Sequence, residues 1–121
     1  MFLNTHFPKA QKYWYQGKFY DWSEAGFHPM MHVLHYGTSV FEGIRAYSTP
    51  RGPAVFRLPE HNDRFFVSAA VAKMKPPYTK EEIIEFIKLT VRENKLDSCY
   101  IRPLLFYSYG NLGLVPKACP V

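Results

Sequence analysis

The spacing of apolar and polar positions changes several times along the chain, and each change marks an element. Tyr13-Trp14-Tyr15 and Lys18-Phe19-Tyr20-Asp21-Trp22 flank the pair Gln16-Gly17. Two aromatic runs around a two-residue turn predict a tight hairpin, because glycine supplies positive φ there without steric cost. Residues 1–12 are polar and are expected to form a loose arm. Ser23 to Met31, with Gly26 and Pro29, reads as loop, and His32 to Ser39 fits a helical turn or a loop. Val40 to Tyr47 has a strand pattern that Ser48-Thr49-Pro50-Arg51-Gly52-Pro53 ends in a turn. Ala54-Val55-Phe56-Arg57 returns beside it, giving a second hairpin.

Helical periodicity follows. Pro59 suits a first helical position, and Glu60 behind it complements the positive end of the helix dipole. Phe65, Ala69 and Ala72, with Phe66 and Val71 beside them, make an apolar stripe to about Met74, before Pro76-Pro77. Thr79-Lys80-Glu81-Glu82 is a capping box. The helix behind it carries Ile83, Ile84, Ile87 and Val91 on one side and Glu85, Lys88 and Arg92 on the other, and should end near Asn94. Cys99 to Tyr107 is strand-like, and Gly110-Asn111-Leu112-Gly113 is a loop. The expected fold is α+β, a mainly antiparallel sheet packed with two helices, in one domain over residues 13–121.

Composition removes several classes of function. With 121 residues, 47% apolar and 17% aromatic, the chain can bury a core and is not disordered. No window reaches the length of a membrane span, and Met1-Phe2-Leu3-Asn4-Thr5-His6 has no secretory pattern, so a cytoplasmic protein is expected. The net charge of +5 favours anionic partners. The cations are scattered, however, so neither nucleic acid nor a membrane is an expected partner. Cys99 and Cys119 have no His at metal-ligand spacing and read as free thiols. His32 and His35 lack a third ligand and read as ordinary hydrogen-bonded histidines, so no metal site is expected.

Alternation along strands groups the residues that could carry chemistry. Phe41, Gly43, Arg45 and Tyr47 share one face of their strand, and Tyr100, Arg102, Leu104 and Phe106 share one face of theirs. If these faces adjoin, aromatic rings and guanidiniums line one surface. Such a surface suits a ligand with an apolar body and a carboxylate or phosphate. The competing reading is that the arginines reach solvent from the sheet edge while the rings are core. Gly43 in mid-strand favours close approach by a ligand or by backbone. Arg64 could clamp a phosphate, or could pair with Glu60 one turn earlier on an exposed face.

Four runs in register add a resemblance. His35-Tyr36-Gly37-Thr38-Ser39-Val40-Phe41-Glu42-Gly43-Ile44-Arg45-Ala46-Tyr47, Gly52-Pro53-Ala54-Val55-Phe56-Arg57-Leu58, Glu60-His61-Asn62-Asp63-Arg64 and Tyr100-Ile101-Arg102-Pro103-Leu104 closely resemble the branched-chain amino acid aminotransferases. These are class IV, fold-type IV enzymes using pyridoxal 5'-phosphate. The resemblance implies that Arg64 binds the cofactor phosphate, that Tyr100 helps to bind the substrate α-carboxylate and that Arg102 reads the side-chain carboxylate of glutamate. It implies that Tyr36, Phe41, Gly43 and Leu114 line the side-chain pocket, Tyr36 and Leu114 reaching a neighbouring subunit's site in a homo-oligomer. The implied substrates are leucine, isoleucine or valine and 2-oxoglutarate.

The resemblance also implies that this is a small N-terminal domain followed by a larger one, which holds the lysine that bonds the cofactor. None of the nine lysines here stands in that lysine's place. No catalytic residue is therefore assigned, and the chain alone is expected not to transaminate. Within the same fold, D-amino acid aminotransferase and aminodeoxychorismate lyase are rival readings; a non-catalytic binding or dimerisation module is another. An inner face without its second domain would expose apolar surface and favour association.

Overall fold

The computed structural model describes residues 9–121. Of the arm expected over 1–12, residues 1–8 fall outside that range, and Lys12 already belongs to a strand. β1 (Lys12–Tyr15) and β2 (Lys18–Asp21) form the first hairpin, with Tyr15 opposite Lys18. Gln16 and Gly17 have φ of 47° and 86°, the two left-handed residues of a type I′ turn. Trp22 leaves the strand and opens a short 3-10 turn, Trp22–Glu24.

The ambiguous stretch after the loop is a short helix, α1 (His32–Tyr36), ended by Gly37 at φ 64°. β3 (Ser39–Phe41), β4 (Ile44–Tyr47) and β5 (Ala54–Val55) follow, then α2 (Leu58–Val71), α3 (Lys80–Glu93), β6 (Cys99–Ile101) and β7 (Leu104–Phe106). There are thus three α-helices among the described residues, where two were expected. All strand pairing among them is antiparallel: β1–β2, β3–β7, and β5–β4–β6.

Each of the two long strands expected over 40–47 and 99–107 is interrupted. The interruptions lie opposite each other, at Glu42-Gly43 and Arg102-Pro103, where Glu42 N–H donates to Pro103 O at 3.1 Å. Pro103 has no N–H to return, so the ladder lapses there. The register does not change across the gap. Phe41 faces Leu104 before it and Ile44 faces Ile101 after it. The two segments therefore behave as one twisted ribbon, which keeps the alternation of faces intact.

One side of that ribbon is core. Ile44 and Ala46 are each 1% exposed, and Ile44 clusters with Leu58 of α2 and Ile87 of α3, with Val55, Ile83, Ile84 and Ile101 packed around the three. The capping box forms as predicted, Thr79 Oγ1 accepting from Glu82 N–H at 3.2 Å and Glu82 Oε2 from Thr79 N–H at 2.8 Å. Pro59 occupies the second helical position, since α2 begins at Leu58. α2 also stops at Val71, short of Met74. Lys73 turns left-handed at φ 57°, and Met74 N–H returns to Ala69 O at 2.8 Å, a Schellman closure.

Asn94, just past α3, fastens the first hairpin to that helix. Its Oδ1 accepts from Gln11 and Lys12 N–H at 2.7 and 2.9 Å, and its Nδ2 donates to Lys12 O and Thr90 O at 3.0 and 2.8 Å. Trp14 adds a stack on Phe86 with ring centroids 4.5 Å apart. No helix among the described residues is long and apolar enough to cross a membrane.

Candidate functional site

The outer face of the ribbon gathers four of the residues singled out by sequence. The Arg102 guanidinium lies over the Phe41 ring at 4.3 Å and over the Tyr100 ring at 5.2 Å. Its Nη2 donates to the Tyr100 hydroxyl at 2.7 Å. Gly43 completes the group by having no side chain. A Cβ there would overlap the Tyr100 hydroxyl and stand 3.1 Å from Cζ. Phe41 and Tyr100 are each about half exposed, so the face is open. Arg45, opposite Tyr100 in register, points to the same side. Phe106 does not join the group; it packs on Tyr15 and Phe27 at 6.1 and 6.0 Å.

Alternation sends Glu42 the other way. Flanked by Phe41 and Gly43 on the outer face, it is 4% exposed on the inner one. There its Oε1 accepts from Arg64 Nε and its Oε2 from Arg64 Nη2, both at 2.6 Å. His61 Nδ1 lies 3.0 Å from Oε2. An ionised carboxylate only accepts, so Nδ1 carries the proton, and the 3.5 Å approach of Arg64 Nη2 to that nitrogen is not a bond. The Arg64 fork holds the Glu42 carboxyl down at about 2, ahead of the opposing effect of burial and with further help from His61.

This corrects the alternative in which Arg64 pairs with Glu60. Its carboxylate partner is Glu42, across the fold, while Glu60 pairs with Arg57 at 3.1 Å. The sequence reading missed Glu42. The available signal was a lone carboxylate at an inward position next to Ile44 and Ala46, which demands a cation.

Tyr36 and Leu114 form a separate group. The Tyr36 hydroxyl donates to Leu112 O at 2.6 Å, fastening α1 to the loop that carries Leu114, itself 82% exposed. Beneath them the fully buried His32 holds Thr38 Oγ1 with Nδ1 and Gly113 O with Nε2, both at 2.9 Å. Nε2 must donate to the carbonyl, so both nitrogens are spent on structure. Tyr36 also borders a cleft of about 490 Å³ with Ala72, Met74, Tyr107 and Val115. None of Phe41, Tyr100, Arg102 or Arg64 lines that cleft. Among the described residues, no three His, Cys, Asp or Glu side chains converge as a metal site.

The arrangement can do two things chemically: hold an anion at Arg64, and receive an apolar group or a carboxylate beside Phe41 and Arg102. Several known proteins are similar to this chain. The amino-transferase class IV family matches residues 39–120. The branched-chain-amino-acid aminotransferase of Pseudomonas aeruginosa is 50% identical over 101 residues, 84% of this chain and 33% of that protein. The corresponding enzyme of Escherichia coli K12 is 43% identical over 110 residues, 91% of this chain and 36% of that protein.

Among solved structures, the T.th. branched-chain amino acid aminotransferase superposes with a TM-score of 0.87 at 51% identity, over 90% of this chain and 37% of that one. The same enzyme complexed with N-(5'-phosphopyridoxyl)-L-glutamate gives 0.86 at 49% identity, over 91% and 38%. The chain thus spans about a third of the length of the relatives it matches. With the family match running through the ribbon, both long helices and the Arg102 turn, the chain belongs to the class IV aminotransferases.

Proposed function

We propose that this chain is the small N-terminal domain of a branched-chain-amino-acid aminotransferase, which moves an amino group between leucine, isoleucine or valine and 2-oxoglutarate. The carrying observation is the Arg102 guanidinium stacked on Phe41 and bonded to Tyr100. Such an enzyme must accept an aliphatic side chain in one half-reaction and a carboxylate in the other. A guanidinium is weakly hydrated and planar, so its face tolerates hydrocarbon while its edge binds a carboxylate.

Each residue then has a task. Phe41 and the bare backbone at Gly43 line the side-chain pocket, and Arg102 takes the distal carboxylate of glutamate. The Tyr100 hydroxyl accepts from Arg102, which leaves its own proton to donate to the substrate α-carboxylate. Pyridoxal phosphate, when bound, supplies the electron sink for the amino-acid α-carbon. The residues present fit it: among the described residues no hydrogen bond uses Arg64 Nη1, and the side chain is 66% exposed, so a cationic edge is open to the phosphate. Tyr36 and Leu114 are proposed to reach a neighbouring subunit's pocket in a cytoplasmic homo-oligomer, in keeping with the exposure of Leu114. The larger domain of the parent is proposed to carry the cofactor-bonding lysine.

The test is an assay of the parent with leucine, isoleucine and valine against 2-oxoglutarate, alongside D-alanine and aminodeoxychorismate. The reading requires sustained glutamate formation from the branched-chain substrates. Turnover of D-alanine or aminodeoxychorismate alone would assign the fold to a different reaction.

A further inference from the structure

We propose that Glu42 is a positioning residue for cofactor binding: from the reverse face of the pocket ribbon it grips one edge of Arg64 and so presents the opposite edge to a phosphate. The inference rests on the reading of Arg64 given above. A free arginine spreads its guanidinium over many rotamers, and binding an anion must then order it. Here the ordering is done in advance. Nε and Nη2 are tied to a carboxylate that is itself 3% exposed in its side chain and braced by His61 Nδ1. Nη1 is left over, on the edge away from the carboxylate. An approaching anion meets the cationic edge first, with the Glu42 charge behind it.

The placement also couples two halves of the site. Glu42 lies between Phe41 and Gly43, and its N–H is anchored on Pro103 O beside Arg102. Side-chain alternation makes the same short run line the substrate face with two residues and orient the phosphate arginine with the third. The run Phe41-Glu42-Gly43 thus fixes the distance between substrate and phosphate subsites without any loop that could flex.

The experiment is a double-mutant cycle in the parent enzyme, with Glu42→Gln, Arg64→Ala and the pair. Equilibrium binding of pyridoxal phosphate to the apo form is followed by absorbance, and inorganic phosphate is titrated as a competitor. Glu42→Gln is expected to weaken both ligands by about tenfold, and Arg64→Ala by at least as much. The double variant should bind no worse than Arg64→Ala, because Glu42 acts through that side chain. The leucine KM at saturating cofactor should stay within about twofold for Glu42→Gln, a split that general loosening of the fold would not produce.

Unchanged cofactor and phosphate affinity in Glu42→Gln would overturn the inference, and so would full additivity in the double variant. If Glu42→Gln does not fold, Glu42→Asp enters the same cycle with the same criteria. Failure of the underlying reading looks different: Arg64→Ala would then leave cofactor affinity unchanged, which removes the inference together with the Arg64 assignment.

Discussion

Replacing Gly43 by alanine isolates the geometry of the pocket from the stability of the fold. The added Cβ would overlap the Tyr100 hydroxyl and crowd Cζ and Cε2 at 3.1 and 3.3 Å. Tyr100 is 53% exposed, so its ring can swing outward into water. The substitution should therefore change unfolding free energy by less than about 1 kcal/mol. The pocket does not escape so lightly. Once the ring moves, the 2.7 Å bond from Arg102 is lost, and the guanidinium keeps only its stack on Phe41.

A hydrogen bond to a charged group at so open a site contributes about 1 kcal/mol, and the Tyr100 ring contact adds about 0.5 kcal/mol. Together they predict a rise of about tenfold in the KM for 2-oxoglutarate in the parent. Steady-state kinetics and urea unfolding on the same preparation measure both quantities. The clash is with the hydroxyl first, so Gly43→Ala should add little in a Tyr100→Phe background. Unaltered KM with unaltered stability would refute the claim that the missing side chain makes room for Tyr100. A loss above about 3 kcal/mol would show instead that the glycine serves core packing.

Three further outcomes follow from particular contacts. Asn94→Ala removes four hydrogen bonds, two of them to Lys12 of β1 and one to Gln11 just before it, and with water replacing part of them should cost about 2 kcal/mol. Fluorescence of Trp14, stacked on Phe86, should report that loss before far-UV circular dichroism of the helices does. The Glu42 carboxyl sits at about 2 against an ordinary 4.5, so its contribution is complete above about pH 5 and disappears as pH falls through 2. At about 1.36 kcal/mol per pH unit this is about 3 kcal/mol, and with Arg64 largely in water about half survives screening. Acid titration of stability should show that component in the native protein and not in Glu42→Gln. Lys95→Gly relieves a left-handed lysine at φ 52° past α3 and should stabilise by about 0.5 kcal/mol in urea unfolding.

Local chemistry explains which elements could be read directly. The Gln16-Gly17 turn, the Thr79–Glu82 capping box and the Ile83 to Val91 stripe are encoded within a few residues each, and they form as read. The grouping of Phe41, Gly43, Tyr100 and Arg102 was also legible, because strand alternation survives the ladder gap at Pro103. The gap itself was not predicted, since it arises where a proline on one segment meets Glu42 on another just over sixty positions away. For Arg64 the sequence offered a phosphate or, as its protein partner, the nearest acid on its own helix, Glu60. Its true partner depends on how α2 packs against the ribbon, which no local pattern states. The end of α2 at Val71 likewise follows from Met74 being drawn into the core at 5% exposure.

The double preference proposed for the pocket is tested most directly by Arg102→Met in the parent, with both half-reactions measured separately. Methionine keeps the apolar bulk over Phe41 and removes the cation. The account predicts that the KM for glutamate or 2-oxoglutarate rises about a hundredfold while that for leucine stays within about threefold. Equal losses for both substrates, or an intact response to 2-oxoglutarate, would contradict it.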